Sequence, residues 1–174
     1  HTELLKKEVL HDFYRLYPER FNNKTNGVTL RRWMAIDNPR LAAILDQEIG
    51  TDWRENPLEL EKLLKYRSNN KVLDQLIAAK QANKRDLAKF IKQQTGIEVS
   101  SKAIFDVQIK RLHAYKRQLL NLLRIVKLYQ DLKANPNADI YPRVFIFGAK
   151  AAPSYQYAKA VIKCINEVAN LVNN

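Results

Sequence analysis

The 174 residues include 30 Lys and Arg against 18 Asp and Glu, a formal net charge of +12, with 46% hydrophobic side chains. That apolar content suffices for a packed core and excludes a disordered tail, while no apolar run approaches the ~18–20 residues that cross a bilayer. The cation excess is uneven, with 18 basic and 14 acidic side chains in residues 1–100 and 12 and 4 in residues 101–174.

In chain order, Leu4, Leu5, Val9, Phe13 and Leu16 recur at helical spacing, so a helix is predicted over residues 2–17, stopped by Pro18. Phe21-Asn22-Asn23-Lys24-Thr25-Asn26-Gly27 reads as a polar loop with an Asn-Gly turn. Asn38-Pro39 opens a short helix, with a cap residue ahead of proline at the first helical position, and Gly50 closes it. Asn56-Pro57 repeats the signal before Leu58, Leu60, Leu63 and Leu64. A long amphipathic helix follows, from about Val72 to Ile91 and ending at Gly96.

After residue 100 the pattern changes. Ala103, Phe105, Val107 and Ile109 alternate with polar residues, the periodicity of a strand. Residues 115–133 form a helix that is apolar around most of its surface. Val144-Phe145-Ile146-Phe147, ending at Gly148, has the continuous apolar character of a buried parallel strand. A last helix starts near Ser154 and carries Ala158, Val161, Ile162, Ile165, Val168 and Val172. The single Cys164 excludes an internal disulfide, fits a reducing cytoplasm, and by its spacing is predicted to be a buried core thiol.

The fold class is therefore α/β: a mainly helical part over 1–100, then a partial Rossmann-like β-α-β-α unit over 101–174 with a parallel pair and a right-handed crossover. Two strands are too few for a doubly wound sheet, so further strands are expected beyond Asn174 or from another chain. The opening His1-Thr2-Glu3, with neither an initiator methionine nor a signal-peptide pattern, reads as a cut through a longer protein.

In parallel sheets ligands bind beyond the carboxyl ends of the strands. The first strand runs into Lys110-Arg111-Leu112-His113-Ala114-Tyr115-Lys116-Arg117, and the second into Gly148-Ala149-Lys150-Ala151-Ala152-Pro153. Cations at a helix start oppose a dipole that already carries about half a positive charge there, and a bound anion such as phosphate is the natural compensation. Arg111 offers a planar two-pronged hydrogen bond, Lys116 a point charge, and His113 a group that titrates near neutrality. Gly148 and its small neighbours would let a ligand or another backbone come close. The three histidines are too scattered for a zinc site, and no metal is expected. Basic blocks never exceed two or three residues, and neither an aromatic RNA platform nor a helix-turn-helix is visible. A nucleic-acid-binding module is thus only the alternative reading.

Three segments in order closely resemble the glycogen/maltodextrin phosphorylases: residues 21–33 from Phe21 to Trp33, residues 105–121 from Phe105 to Asn121, and residues 147–155 from Phe147 to Tyr155. The resemblance implies a parent enzyme that cleaves α-1,4-glucan with inorganic phosphate, releases glucose 1-phosphate with retention, and uses the phosphate of pyridoxal 5′-phosphate as proton donor. It also implies two Rossmann-like lobes of the glycosyltransferase B type, this chain leaving the N-terminal lobe and beginning the C-terminal one. Position by position, Arg111 and Lys116 match residues that grip substrate phosphate, and Lys110 matches the lysine near the cofactor phosphate. Asn26 matches an asparagine on the glucosyl unit and Trp33 a tryptophan lining the cofactor pocket, with His113 counted as catalytic and Tyr115 as substrate-binding. Sugar-nucleotide glycosyltransferases share the architecture, but the asparagine-rich loop and the basic joint favour phosphorolysis.

Leu30 stands where many members have proline, and Gly148-Ala149 replaces a Gly-Gly pair. The Gly-Thr-x-Asn-Met-Lys motif that supplies the Schiff-base lysine does not occur here. The chain alone is expected to be inactive. Its parent is expected to be cytoplasmic, without nucleic-acid or membrane partners, and dimeric through regions outside these residues.

Overall fold

A computed structural model describes residues 1–24 and 27–173. The polypeptide divides into two compact units, His1–Leu76 and Ile77–Asn174.

In the first unit the predicted N-terminal helix is broken. An α-turn, α1 (Thr2–Leu4), passes into a π-helical turn over Leu5–Val9, and a second α segment, α2 (His11–Leu16), follows after Leu10 at φ −122°, ψ 30°. None of these residues is buried. Helix stability in a protein comes mostly from packing an apolar face, and without such packing no single register is enforced. Helix α3 (Pro39–Ile49) forms where its caps placed it. The Asn38 Oδ1 accepts the Leu41 N–H at 3.3 Å, and Gly50 ends the helix at φ 83°, a conformation that favours glycine.

Ala42, Leu45 and Ile49 form one stripe of α3 and enclose the fully buried Trp53 from the following turn. The Trp53 indole N–H donates to Asp46 Oδ1 at 3.0 Å, and the Arg54 guanidinium donates to Asp46 Oδ2 at 2.5 Å, so the buried indole leaves no polar atom unpaired. The segment after Asn56-Pro57 is a 3-10 helix over Pro57–Tyr66 rather than an α-helix. The reason lies in spacing: Leu60, Leu63 and Tyr66 pack on the Trp53 cluster, and residues three apart eclipse one another at three residues per turn. The Tyr66 hydroxyl donates to the Glu48 carbonyl at 2.9 Å and ties this helix to α3. Helix α4 (Asn70–Thr95) is capped by Asn69, whose Oδ1 accepts the Val72 N–H at 3.3 Å, and the division between units falls within it.

The second unit holds two strands, β1 (Ile104–Ile109) and β2 (Arg143–Gly148), paired in parallel from Ile104 opposite Arg143 to Ile109 opposite Gly148. Helix α5 (Gln118–Ala134) connects them and α6 (Gln156–Asn173) follows. The result is a helix-rich α/β fold with a small parallel sheet. A core of Leu112, Ala158 and Val161 is flanked by Leu119, Tyr155, Ile162 and Ile165.

The predicted burial of Cys164 is corrected, and the strands show two further details. Ala103 precedes the strand and is buried, whereas Val107 and Ile109 are exposed, Ile109 at 68%. Cys164 is exposed: the core stripe of α6 runs through positions 158, 161, 162 and 165, and position 164 projects about a quarter turn away from it. At Gly148 the close neighbour is a side chain, since a Cβ there would lie 3.1 Å and 3.2 Å from Ile109 Cγ1 and Cγ2.

Candidate functional site at the joint between β1 and α5

The basic segment continues the sheet before it turns. The Lys110 N–H donates to the Gly148 carbonyl at 2.9 Å and the Leu112 N–H to the Lys150 carbonyl at 3.0 Å. The alternation of an extended chain then buries Leu112 in the core and leaves Arg111 exposed. His113 keeps an extended backbone at φ −157°, ψ 147°, and its Nδ1 accepts the Tyr115 N–H at 3.5 Å, at the head of a 3-10 turn over Ala114–Lys116. Arg117 follows at φ 59°, ψ 33°, the one non-glycine residue with positive φ among those described. Left-handed backbone is costly for a side chain with a Cβ and clusters at functional sites.

Helix α5 therefore begins at Gln118, later than the sequence periodicity placed it. Lys116 and Arg117 stand ahead of its first turn rather than inside it, still next to the exposed N–H groups of that end.

An aromatic group braces the turn. The His113 ring lies 4.4 Å from that of Tyr115 and 5.2 Å from that of Tyr155, centroid to centroid. The Tyr155 hydroxyl accepts the Ala114 N–H at 3.3 Å, and the Lys116 ammonium sits 5.7 Å from the Tyr115 ring.

The joint's cations are electrostatically uncompensated. Some cations elsewhere in the chain meet carboxylates: Arg54 pairs with Asp46, Arg124 with Asp106, Lys92 with Glu98 and Lys127 with Asp131. Among the described residues none of Lys110, Arg111, Lys116 or Arg117 has a carboxylate in ion-pair range. Beside them an open groove of about 480 Å³ is lined by Gln108, Lys116, Arg117, Leu120, Asn121, Leu123 and Arg124, without an acidic group. A guanidinium, ammonium groups and a helix start on one joint are the donor set that phosphate calls for.

The structure thus brings Lys110, Arg111, His113, Tyr115 and Lys116 onto one joint. Trp33 belongs to the other unit, exposed on a π-helical turn over Arg31–Ile36, and Asn26 lies outside the described residues. Sequence reading missed two amides. Gln118, 2% exposed, donates through Nε2 to the Arg111 carbonyl at 3.2 Å, and Gln108 donates through Nε2 to the Lys116 carbonyl at 3.2 Å. The available signal was a polar residue on the inner stripe of α5, since Gln118, Leu122 and Ile125 share helical spacing and are all buried.

Among the described residues no helix is long and apolar enough to cross a membrane. A family model for carbohydrate phosphorylases matches residues 1–174. A glycogen phosphorylase of Synechocystis sp. is 48% identical over 174 residues, all of this chain and 20% of that protein. One from Bacillus subtilis is 49% identical over 173 residues, covering 99% of this chain and 22% of its own length. A maltodextrin phosphorylase of Streptococcus pneumoniae is 48% identical over 171 residues, 97% of this chain and 23% of that protein. The chain spans about a fifth of the length of these relatives. A match along the whole chain favours neither a nucleic-acid-binding module nor a sugar-nucleotide glycosyltransferase.

Proposed function

The chain belongs to the carbohydrate phosphorylase family, and from that premise we propose that its parent protein cleaves α-1,4-glucan with inorganic phosphate to give glucose 1-phosphate. The observation that carries this reading is the joint of Lys110, Arg111 and Lys116, cations left without carboxylate partners at the carboxyl end of β1. Unpaired cations near one another repel, and a dianion held between them offsets that repulsion.

In the proposed site Arg111 grips the substrate phosphate with its two-pronged guanidinium, and Lys116 adds a point charge. Both stabilise negative charge as the glucosyl centre becomes cationic, the work of a preorganised electrostatic site. His113, held by its ring contacts and by the hydrogen bond to Tyr115, orients the reacting group, and Tyr115 faces the glucosyl unit. Asn26 hydrogen-bonds the same sugar.

The cation set also fits the phosphate of pyridoxal 5′-phosphate, with Lys110 on that phosphate and Trp33 lining the cofactor pocket. When bound, the cofactor supplies an acidic phosphate that donates a proton to the substrate phosphate. The lysine that anchors it through a Schiff base lies in a motif these residues do not contain. The complete enzyme has two Rossmann-like lobes, works in the cytoplasm and dimerises through regions outside this chain.

Two experiments test the proposal. The purified 174-residue chain, given pyridoxal phosphate, phosphate and maltodextrin, releases no glucose 1-phosphate; steady turnover would refute the need for the remaining segments. In the complete protein Arg111→Ala raises KM for phosphate far more than KM for glucan, and equal losses in both would remove Arg111 from the phosphate.

A further inference from the structure

We propose that Gln118 and Gln108 are positioning residues that clamp the two ends of the 111–116 segment and so set Arg111 and Lys116 for one phosphate. The inference rests on the phosphate reading above and names what holds that site in shape.

The orientation of the Gln118 amide is fixed by chemistry. A backbone carbonyl only accepts, so the amide nitrogen must face Arg111, as it does at 3.2 Å. Its oxygen is then buried with no partner among the described residues. A leucine or methionine at this place on the buried stripe would fill the same space without an orphaned acceptor. A residue that breaks a packing rule is expected where function needs it, and what Gln118 contributes is one donor aimed at the carbonyl of Arg111.

Gln108 does the same at the other end. Its amide nitrogen donates to the Lys116 carbonyl, and its oxygen accepts the Asn121 Nδ2–H at 3.0 Å. Asn121 Oδ1 in turn accepts from Arg124 Nε at 3.3 Å, and Arg124 is paired with Asp106 on the same strand as Gln108. The amide on β1 is therefore itself held in place. Arg117, in left-handed backbone, then turns the chain into α5. Both clamps act on backbone carbonyls, so the cationic side chains stay free for a ligand.

The test uses the complete protein that carries this chain. Inorganic phosphate is titrated by calorimetry into the cofactor-free protein without glucan, and KM for phosphate, KM for maltodextrin and kcat are measured on the loaded enzyme. Gln118→Met and Gln108→Met are each expected to weaken phosphate binding about tenfold, the order of one lost hydrogen bond. The maltodextrin KM should stay within about twofold of wild type, and Gln118→Met should lower the melting temperature less than a core cavity does, because removal of the partnerless acceptor offsets the hydrogen bond lost at the Arg111 carbonyl. Leu122→Ala, a cavity in the same buried stripe, lowers the melting temperature and leaves phosphate affinity intact.

Gln118→Glu supplies a second readout. Its carboxyl donates to the Arg111 carbonyl only when protonated; burial raises its pKa, while the neighbouring Lys110, Arg111, Lys116 and Arg117 lower it. The deficit relative to wild type therefore shrinks as the pH is lowered. Unchanged phosphate affinity in Gln118→Met, a loss that Leu122→Ala reproduces, or a pH-independent deficit in Gln118→Glu each overturns the positioning role. Phosphate affinity indifferent to Arg111→Ala is a different failure: it removes phosphate from the joint and takes the clamp down with it.

Discussion

Replacing Gly148 by alanine tests the packing directly beneath the cationic joint. The new Cβ would meet Ile109 Cγ1 at 3.1 Å and Cγ2 at 3.2 Å, inside the ~3.5–4.0 Å at which carbons attract. Turning the Ile109 side chain does not clear the way. Its two γ carbons occupy two of three staggered positions, both already near the glycine, so any rotation leaves at least one of them there. The backbones are also fixed, Ile109 standing opposite Gly148 in the ladder and the Lys110 N–H donating to the Gly148 carbonyl at 2.9 Å. Overpacking costs about 1–3 kcal/mol, and the low end applies because Ile109 faces outward and can lean. Against this stands the entropy that alanine removes from the unfolded chain, about 0.4–1 kcal/mol of stabilisation. The net expectation is a loss of no more than about 0.6 kcal/mol. Ile109→Ala in the same chain should recover most of it, since the Ile109 Cβ lies at an ordinary 3.5 Å. The double-mutant cycle is read by urea unfolding followed by circular dichroism, with amide exchange at Lys110 as the local probe. Additive single effects, with no recovery of stability from Ile109→Ala in the Gly148→Ala background, would refute this account of the contact.

Trp53→Ala should cost about 3–5 kcal/mol, because it empties the centre of the first unit's core. Trp53 and the exposed Trp33 are the only tryptophans, so the blue-shifted, iodide-resistant fluorescence should vanish with the substitution; its persistence would show that Trp53 is not the buried one. The Lys92 ammonium, hydrogen-bonded to Glu98, holds that carboxyl below the usual carboxylate range. A depressed folded value means that the pair stabilises above the ordinary carboxylate pKa and that this is lost as the pH falls through the folded value. In an NMR titration Lys92→Gln should return Glu98 to ordinary behaviour, and an unchanged titration would break the assignment.

What the sequence made legible was local chemistry. Asn38-Pro39 and Gly50 marked both ends of α3 because a cap acts within one turn: the Asn38 Oδ1 reaches only to Leu41. The parallel pair was visible because two strand-like segments flank one segment of helical length, an order that implies a crossover. Features decided by distant neighbours were not visible. Leu60, Leu63 and Tyr66 fit a helix of either pitch, and only the Trp53 cluster selects three residues per turn. Cys164 sits between Val161 and Ile165, yet only the placement of Ala158 against Leu112 decides which side of α6 turns inward.

The charges of the joint were equally legible, but their position was not, and the difference alters the physics. In the first turn of α5, Lys116 and Arg117 would oppose the helix dipole from within. With Arg117 in left-handed backbone the helix starts at Gln118, and the cations stand ahead of N–H groups that still lack intrahelical acceptors. Lys116 and Arg117 then stand beside the helix-end donors instead of opposing the dipole from inside the first turn. In the proposed site an anion would meet the charge of Arg111 and Lys116 ahead of α5. The Gln118 Nε2 donor to the Arg111 carbonyl and the left-handed turn at Arg117 set the backbone of that segment. A glycine at 117 and a leucine at 118 would form a solvent-facing corner at lower cost, which favours the proposed phosphate role of the joint.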